Sequence, residues 1–345
     1  MYYIIKNLQK LRDKIRKNVA KFLFDYINKS GLQTPVRHIL IIRWDAKFGD
    51  SFVSSFFFRE IKKRPEIKVS VITSPSLVEL HKDFFGADDV IDIKKRPSYK
   101  DICDVAKRIS DVDTVIHLTE DMKMRDLYLL HKLQPKNVFS LDDRIGMVNI
   151  KLGETTKKLS FQEKYCYILR QLGINDINQQ YIIPKKQNSV SRHYDVVINP
   201  FGSTDRKSMS VKRAVIVTNE ISRILPHLKI GVLSSPATVS DAGKIVSLAN
   251  KHNISLINGI NSIYDVIDTI DKSNLIISVD TAITHIAVGL NKKIISIYYK
   301  NGTSFNPWLL SESDNVVILF SHGKEINLNG FDNNELISAT KKLLN

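Results

Sequence analysis

The sequence predicts an α/β protein built from two Rossmann-like halves, and three observations carry that prediction. Short apolar runs rich in Val and Ile recur from Ile39 to Phe320. Between them lie stretches with apolar residues at three- and four-residue spacing, the mark of helices packed on one face. The rhythm breaks once, at the polar stretch Lys185 to His193, and then restarts. Strand and helix patterns that alternate in this way build parallel sheets. At 345 residues and 43% hydrophobic content the chain is long enough to bury more than one core.

The first element stands apart. Ile4, Leu8, Leu11, Ile15, Val19, Phe22 and Tyr26 form a single apolar stripe at helical spacing. Lys6, Lys10, Arg12, Lys14, Arg16, Lys17, Lys21 and Lys29 crowd the other faces against only Asp13 and Asp25. Such a helix suits an anionic bilayer surface, or else docks its stripe on the protein and leaves a solvated charged face. Gly31 and Pro35 mark its link to the first Rossmann-like half.

In the first half, strands are expected at Ile39 to Ile42, Val69 to Thr73, Val90 to Ile93, Thr114 to His117 and Val138 to Ser140, with helices near 50–63, 75–84, 99–109, 122–132 and 160–172. In the second half, strands are expected at Val196 to Asn199, Ile230 to Leu233, Ile254 to Ile257, Leu275 to Ser278, Ile294 to Tyr298 and Val316 to Phe320. Helices near 211–225, 239–251, 262–271, 282–290 and 333–344 complete it. The predicted domains are 1–33, 34–186 and 187–345, with the last helix free to pack back on the middle one.

The junction after Leu275 to Val279 is the most informative. Asp280 and Thr281 stop an apolar strand, and Ile283, Ile286, Ala287 and Leu290 continue at helical spacing. The first N–H groups of a helix lack intrahelical partners and the dipole adds positive charge, so a turn of this kind attracts a diphosphate. Asp280 or Thr281 can cap the helix, and His285 falls on the face of Thr281 one turn further in. In the first half, Gly49 permits a tight loop after a strand and Asp50 stands at a helix start that favours its charged form. In open parallel sheets ligands sit beyond the carboxyl ends of the strands, and Asp50, Ser203, Lys207 and Asp280 all come after strands.

Three segments carry a resemblance to one family. Asp280-Thr281-Ala282-Ile283-Thr284-His285, followed by an apolar helix, Lys292-Lys293, a strand and Asn306-Pro307-Trp308, resembles the C-terminal signature of the heptosyltransferases, glycosyltransferase family 9. The family pattern is Asp-[Ser/Thr]-Gly, two residues and His, so Ala282 replaces a usual Gly. His38 to Arg64, with Arg43 and Gly49-Asp50, resembles the family's opening strand, loop and helix, and Asp50 stands where its proposed catalytic base stands. Asn199 to Lys207 resembles its interdomain loop, with Ser203, Thr204 and Lys207 at the places that contact the donor diphosphate and Gly202 supporting the loop. The family has Trp-Pro shortly after the Lys; Ser208-Met209-Ser210 stands here.

The resemblance implies a GT-B fold, two Rossmann-like domains facing across a cleft, with acceptor domain 34–186 and nucleotide-sugar domain 187–345. It further implies an inverting glycosyltransferase that moves a heptose from ADP-heptose to an inner-core sugar of lipopolysaccharide, with Asp50 as base and Ser203, Thr204, Lys207, Asp280, Thr281 and His285 on the donor. Alternatives are a transferase or epimerase using another nucleotide sugar, and a catalytically silent glycolipid-binding member of the fold.

Other readings lack support in the sequence. GxGxxG and GxxxxGK[ST] patterns are absent, against a dinucleotide dehydrogenase or P-loop NTPase. Asp111-Val112-Asp113 imitates a DxD metal motif but precedes a strand and reads as turn chemistry, so neither metal nor cofactor is expected. Cys103 and Cys166 lie in no CxxC pair and read as buried packing residues. A net charge of +15 points to an anionic partner. No nucleic-acid-binding motif accompanies it, so the expected partners are a nucleotide sugar, an anionic lipopolysaccharide acceptor and an inner-leaflet surface for residues 1–29. With neither a signal-peptide h-region nor a membrane-length apolar run, the expected location is cytoplasmic, peripheral on the inner membrane.

Overall fold

A computed structural model describes residues 2–109, 111–186, 193–300, 305–323 and 327–344, leaving aside the side chains of residues 2–7 and 10. The expected domain boundary at 186/187 adjoins residues outside that set, as do the side chains of Ile4, Lys6 and Lys10. Two compact units emerge: Met1–Lys47 with Ser54–Gln179, and Phe48–Val53 with Gln180–Asn345.

In the first unit, β1 (His38–Arg43), β2 (Lys68–Thr73), β3 (Asp89–Asp92), β4 (Thr114–His117), β5 (Asn137–Ser140) and β6 (Ile150–Lys151) form one sheet ordered β3-β2-β1-β4-β5-β6. All of its pairings are parallel. Its apolar strands are buried because helices cover them. These are α2 (Phe48–Ile61), of which Ser54 onward belongs to this unit, α3 (Tyr99–Arg108), α4 (Met124–Leu133) and α5 (Phe161–Gln171). Leu40, Val115 and Val138 from the sheet pack with Ile102 and Leu130 from α3 and α4. Ser98 and Ser160 begin α3 and α5 with reciprocal caps to Asp101 and Glu163.

Three local expectations change. The helix expected at 75–84 is a 3-10 turn, Pro75–Leu77, followed by a π turn, Leu80–Phe84. Its wider winding sets His81 and Phe85 against Phe58, with ring centroids 5.5 and 5.7 Å away. Strand β6 was not expected, since two residues show no period. The Asp111 and Asp113 side chains serve the start of β1: Asp113 accepts from the Arg37 and His38 N–H groups at 2.8 and 3.0 Å, and Asp111 lies 3.1 Å from His38 Nδ1. Cys166 is buried, and burial pushes its thiol up to about 11. Cys103, in contrast to expectation, is only half-buried, with Sγ 3.0 Å from the Tyr128 hydroxyl.

The opening helix α1 (Tyr2–Phe24) docks in this unit, packing on α4, but not by its stripe. Ala20 is fully buried, whereas Leu8, Leu11, Ile15, Val19 and Phe22 are exposed. The docked face is polar as well as apolar. Lys17 Nζ reaches Asp121 and Asp142, each at 2.6 Å, and Asp25 accepts from the Gly146 and Met147 N–H groups, both at 2.9 Å.

The second unit repeats the first sheet's topology. β7 (Val196–Asn199), β8 (Ile230–Val232), β9 (Ile254–Leu256), β10 (Leu275–Val279), β11 (Lys293–Tyr299) and β12 (Val316–Ser321) are ordered β12-β11-β10-β7-β8-β9. Again every pairing is parallel. Around the sheet lie α6 (Val211–Ile224), α7 (Val239–Ala249), α8 (Ile263–Asp271), α9 (Ala282–Gly289) and α10 (Asn333–Leu344). Within this unit Leu336, Ala339 and Leu343 of the last helix share a core with Val217 and Ile221 of α6 and Ile295 of β11.

Candidate active site

Strand order fixes where a ligand can sit. In the second sheet the chain leaves β7 toward β8 and β9, then returns to lay β10 on the other side of β7. At such a switch point the loops leaving the two central strands diverge and open a crevice at their carboxyl ends. Those loops are Pro200 to Thr204 after β7, and Asp280-Thr281 after β10. Ser203, Thr204, Asp280 and Thr281, chosen from sequence, lie on these two loops, and Lys207 follows directly after the first.

Thr281, not Asp280, caps α9, its hydroxyl accepting from the Ile283 N–H at 3.2 Å. That leaves the Asp280 carboxylate available, and Lys207 Nζ lies 3.2 Å from its Oδ2. The loop that delivers Lys207 is tightly folded. A Cβ on Gly202 would lie 2.2 Å from the Lys207 carbonyl oxygen, so no larger residue fits this closure. Ser208 completes it: its hydroxyl accepts from the Gly202 N–H at 2.8 Å and donates to the Thr204 carbonyl at 2.9 Å. Met209 is buried beneath and Ser210 caps α6, accepting from the Arg213 N–H at 3.2 Å. The Ser-Met-Ser segment thus closes the loop with its own hydrogen bonds. Ser203 and Thr204 are exposed at its tip.

Asn199 lies inside the matched loop segment, yet the resemblance assigns it no role. Its side-chain amide donates to Ser278 Oγ at 2.9 Å and Thr281 Oγ1 at 3.2 Å, tying the ends of β7 and β10 together. A polar residue ending the apolar run Val-Val-Ile was the available signal.

His285 differs from expectation in its charge. It is 5% exposed, its Nδ1 finds no hydrogen-bond partner among the described residues, and its ring meets the edges of Tyr181 and Trp308 at centroid distances of 6.2 and 6.3 Å. Burial pulls its pKa down to about 4 although Asp280 opposes the shift. At neutral pH it is an uncharged imidazole and adds no positive charge to an anion site.

Gly49 also plays a different part from the one expected. Helix α2 begins at Phe48, so Gly49 and Asp50 lie in its first turn, and the left-handed residue of the preceding loop is Ala46, at φ 57°. Gly49 is small because another helix start lies against it: a Cβ there would meet Ala282 Cα at 3.3 Å and His285 Cδ2 at 3.5 Å. Residues Phe48–Val53 belong for this reason to the same compact unit as α9. The turn that carries Asp50 and the turn that begins after Asp280-Thr281 therefore abut, with Gly49 providing the close approach beside Ala282.

Comparison with known proteins bears on the same region. Residues 228–335 match the family model described as glycosyltransferase family 9 (heptosyltransferase). No curated protein matches the chain. Among solved structures, a family 9 glycosyl transferase from Veillonella parvula DSM 2008 is similar at 17% identity and a TM-score of 0.71, over 91% of this chain and 99% of that one. The E. coli ADP-heptose lps heptosyltransferase II is similar at 14% identity and 0.68, over 89% and 98%. An E. coli heptosyltransferase, WaaC, solved with ADP, gives 13% identity and 0.64, over 89% and 99%. At these identities the structural likeness speaks to the fold.

Proposed function

We propose that this chain, whose residues 228–335 match the glycosyltransferase family 9 model, is a member of that family that transfers a heptose from ADP-heptose, with inversion, to an inner-core sugar of lipopolysaccharide or lipooligosaccharide. The observation that carries this reading is the approach of Gly49 to Ala282, at 3.3 Å from the ideal Cβ position. It brings the backbone of the turn that carries Asp50 beside the start of α9, a turn suited to diphosphate. The names of two structural neighbours, an ADP-heptose transferase and a heptosyltransferase solved with ADP, support the choice of donor.

In this mechanism the donor diphosphate lies at the start of α9, where the helix dipole favours anions. Lys207 turns from Asp280 to the phosphates and offsets the charge that builds as ADP leaves. Asp280 then accepts from a donor hydroxyl, since a carboxylate is poorly placed facing phosphate. Asp50 lies in the first turn of α2. It takes the proton of the acceptor hydroxyl as that oxygen attacks the anomeric carbon opposite the leaving group. Neutral His285 contributes shape and a ring nitrogen, and the leaving charge is met without a metal. The acceptor is a lipid, so the reaction takes place at the inner face of the inner membrane.

The test is incubation with a panel of nucleotide sugars and a heptose-deficient lipid acceptor, read by product mass. Transfer adds one heptose to the acceptor, epimerisation leaves the donor mass unchanged, and hydrolysis frees the sugar. Asp50→Asn should lower turnover by about a hundredfold or more with ADP affinity nearly unchanged. Unchanged turnover removes Asp50 as the base.

A further inference from the structure

The sequence left two uses for the stripe of α1: burial against the protein, or an outside partner. The structure decides the first negatively. Leu8, Leu11, Ile15, Val19 and Phe22 are 60, 55, 54, 44 and 87% exposed, and run along one face of a 23-residue helix. The opposite face is the one that docks. Lys17 is held by Asp121 and Asp142, the Lys21 ammonium donates to the Arg144 carbonyl at 2.7 Å, and Asp25 is held by the Gly146 and Met147 N–H groups. The Phe24 ring meets Tyr128 edge-on at 5.1 Å. These contacts fix the rotation of α1, so the stripe is presented outward by construction.

Beside the stripe lies a basic groove. A cavity of about 710 Å³ is lined by Arg12, Arg16, Lys17, Arg96, Lys123 and Arg125, with Asp13 its one acidic lining residue. Lys17 and Lys123 are paired to Asp121, and Arg12 to Asp13 at 3.1 Å. Arg16, Arg96 and Arg125 have no carboxylate partner among the described residues. Three uncompensated guanidiniums around one hollow call for a ligand rich in negative charge.

An apolar stripe flanked by unpaired arginines matches one surface in particular. We infer that α1 and the adjoining arginine groove seat this chain on an anionic bilayer, with the stripe among the acyl chains and a lipid phosphate in the groove. A second copy of the chain is the poorer occupant. Two stripes brought together would set Arg12, Lys14 and Arg16 of each copy against those of the other. Neither the α1 carboxylate nor the one just after the helix relieves that repulsion, because Asp13 is taken by Arg12 and Asp25 is turned inward. This inference rests on the lipid acceptor proposed above for its purpose, but not for its test.

Flotation of the full chain with vesicles needs no substrate, so its failure is distinct from a failure of heptose transfer. The chain should float with vesicles of phosphatidylcholine containing about one-third phosphatidylglycerol and remain behind with phosphatidylcholine alone. Binding should weaken as salt rises. Leu11→Gln with Ile15→Gln, at exposed positions, should cut binding by about tenfold or more at an unchanged melting temperature. Arg96→Gln with Arg125→Gln should reduce both binding and its salt dependence. In Phe22→Trp, brominated lipid should quench the added emission once that of the wild-type chain is subtracted.

The inference is overturned if the wild type does not float with anionic vesicles, or floats equally with neutral ones. An unaltered Leu11/Ile15 variant, or an unquenched Trp at position 22, overturns it as well. So does a dimer in sedimentation that the Leu11/Ile15 variant converts to monomer, since the stripe would then be covered by a second copy.

Discussion

Replacing Lys207 by Met keeps the side chain's length and removes its charge, which separates structural from ligand-binding worth. Lys207 Nζ is 3.2 Å from Asp280 Oδ2, but the lysine side chain is 53% exposed and the aspartate 18%. A pair so open to water contributes at most about 1 kcal/mol, and screening lowers that further. The loop itself is held by Gly202, Thr204 and Ser208 without the ammonium group. Loss of stability in Lys207→Met should therefore stay near 0.5 kcal/mol, about 1–2 °C in melting temperature. A charge-assisted hydrogen bond to a diphosphate is worth about 1.5–3 kcal/mol. Removing it should raise the dissociation constant for ADP by about tenfold to a hundredfold. Calorimetric titration with ADP and a thermal melt on the same sample give both quantities. If ADP binds with wild-type affinity, or if the melt falls by several degrees while affinity holds, Lys207 is a structural partner of Asp280 and the assignment to the donor fails.

Two further outcomes concern the same site. His285 takes up a proton near pH 6.5 when unfolded but only near pH 4 when folded, so stability is intact above about pH 6.5 and falls as the pH drops toward 4, by about 3 kcal/mol. His81, pushed down to about 3 by burial and Arg43, acts in the same direction, so His285→Gln should lessen the loss between pH 7 and 4.5 in denaturant titrations without abolishing it; an undiminished loss contradicts the neutral, buried ring. Gly202→Ala places a methyl 2.2 Å from the Lys207 carbonyl oxygen, a backbone atom that cannot swing aside. The loop should open, with about 1–3 kcal/mol of lost stability and weakened ADP binding, and unaltered ADP affinity would show that loop closure does not position the donor site.

Much of this protein was readable before any coordinates. The alternation of β-branched runs with helical spacing predicts both parallel sheets, because a strand buried on two faces must be apolar along its whole length. The loops after β7 and β10 were equally legible, since loops after strands and capped helix starts arise from local chemistry at Asp280, Thr281 and Gly202. What the sequence could not supply were contacts between segments distant in the chain. Asn199 bridging to Thr281 across the switch point depends on the register of β7 against β10. The charge state of His285 depends on how deeply neighbouring rings bury it, and spacing within its own helix says nothing of that. Gly49 looked like a loop residue because glycine most often serves backbone turning; only the packed structure shows that its missing side chain admits Ala282. Likewise, periodicity establishes that α1 has an apolar stripe, but a stripe has the same pattern whether buried or bare. Docking decided the matter, because the carboxylates and carbonyls that receive Lys17 and Lys21 lie more than a hundred residues away, and they hold the helix with its apolar face toward the outside.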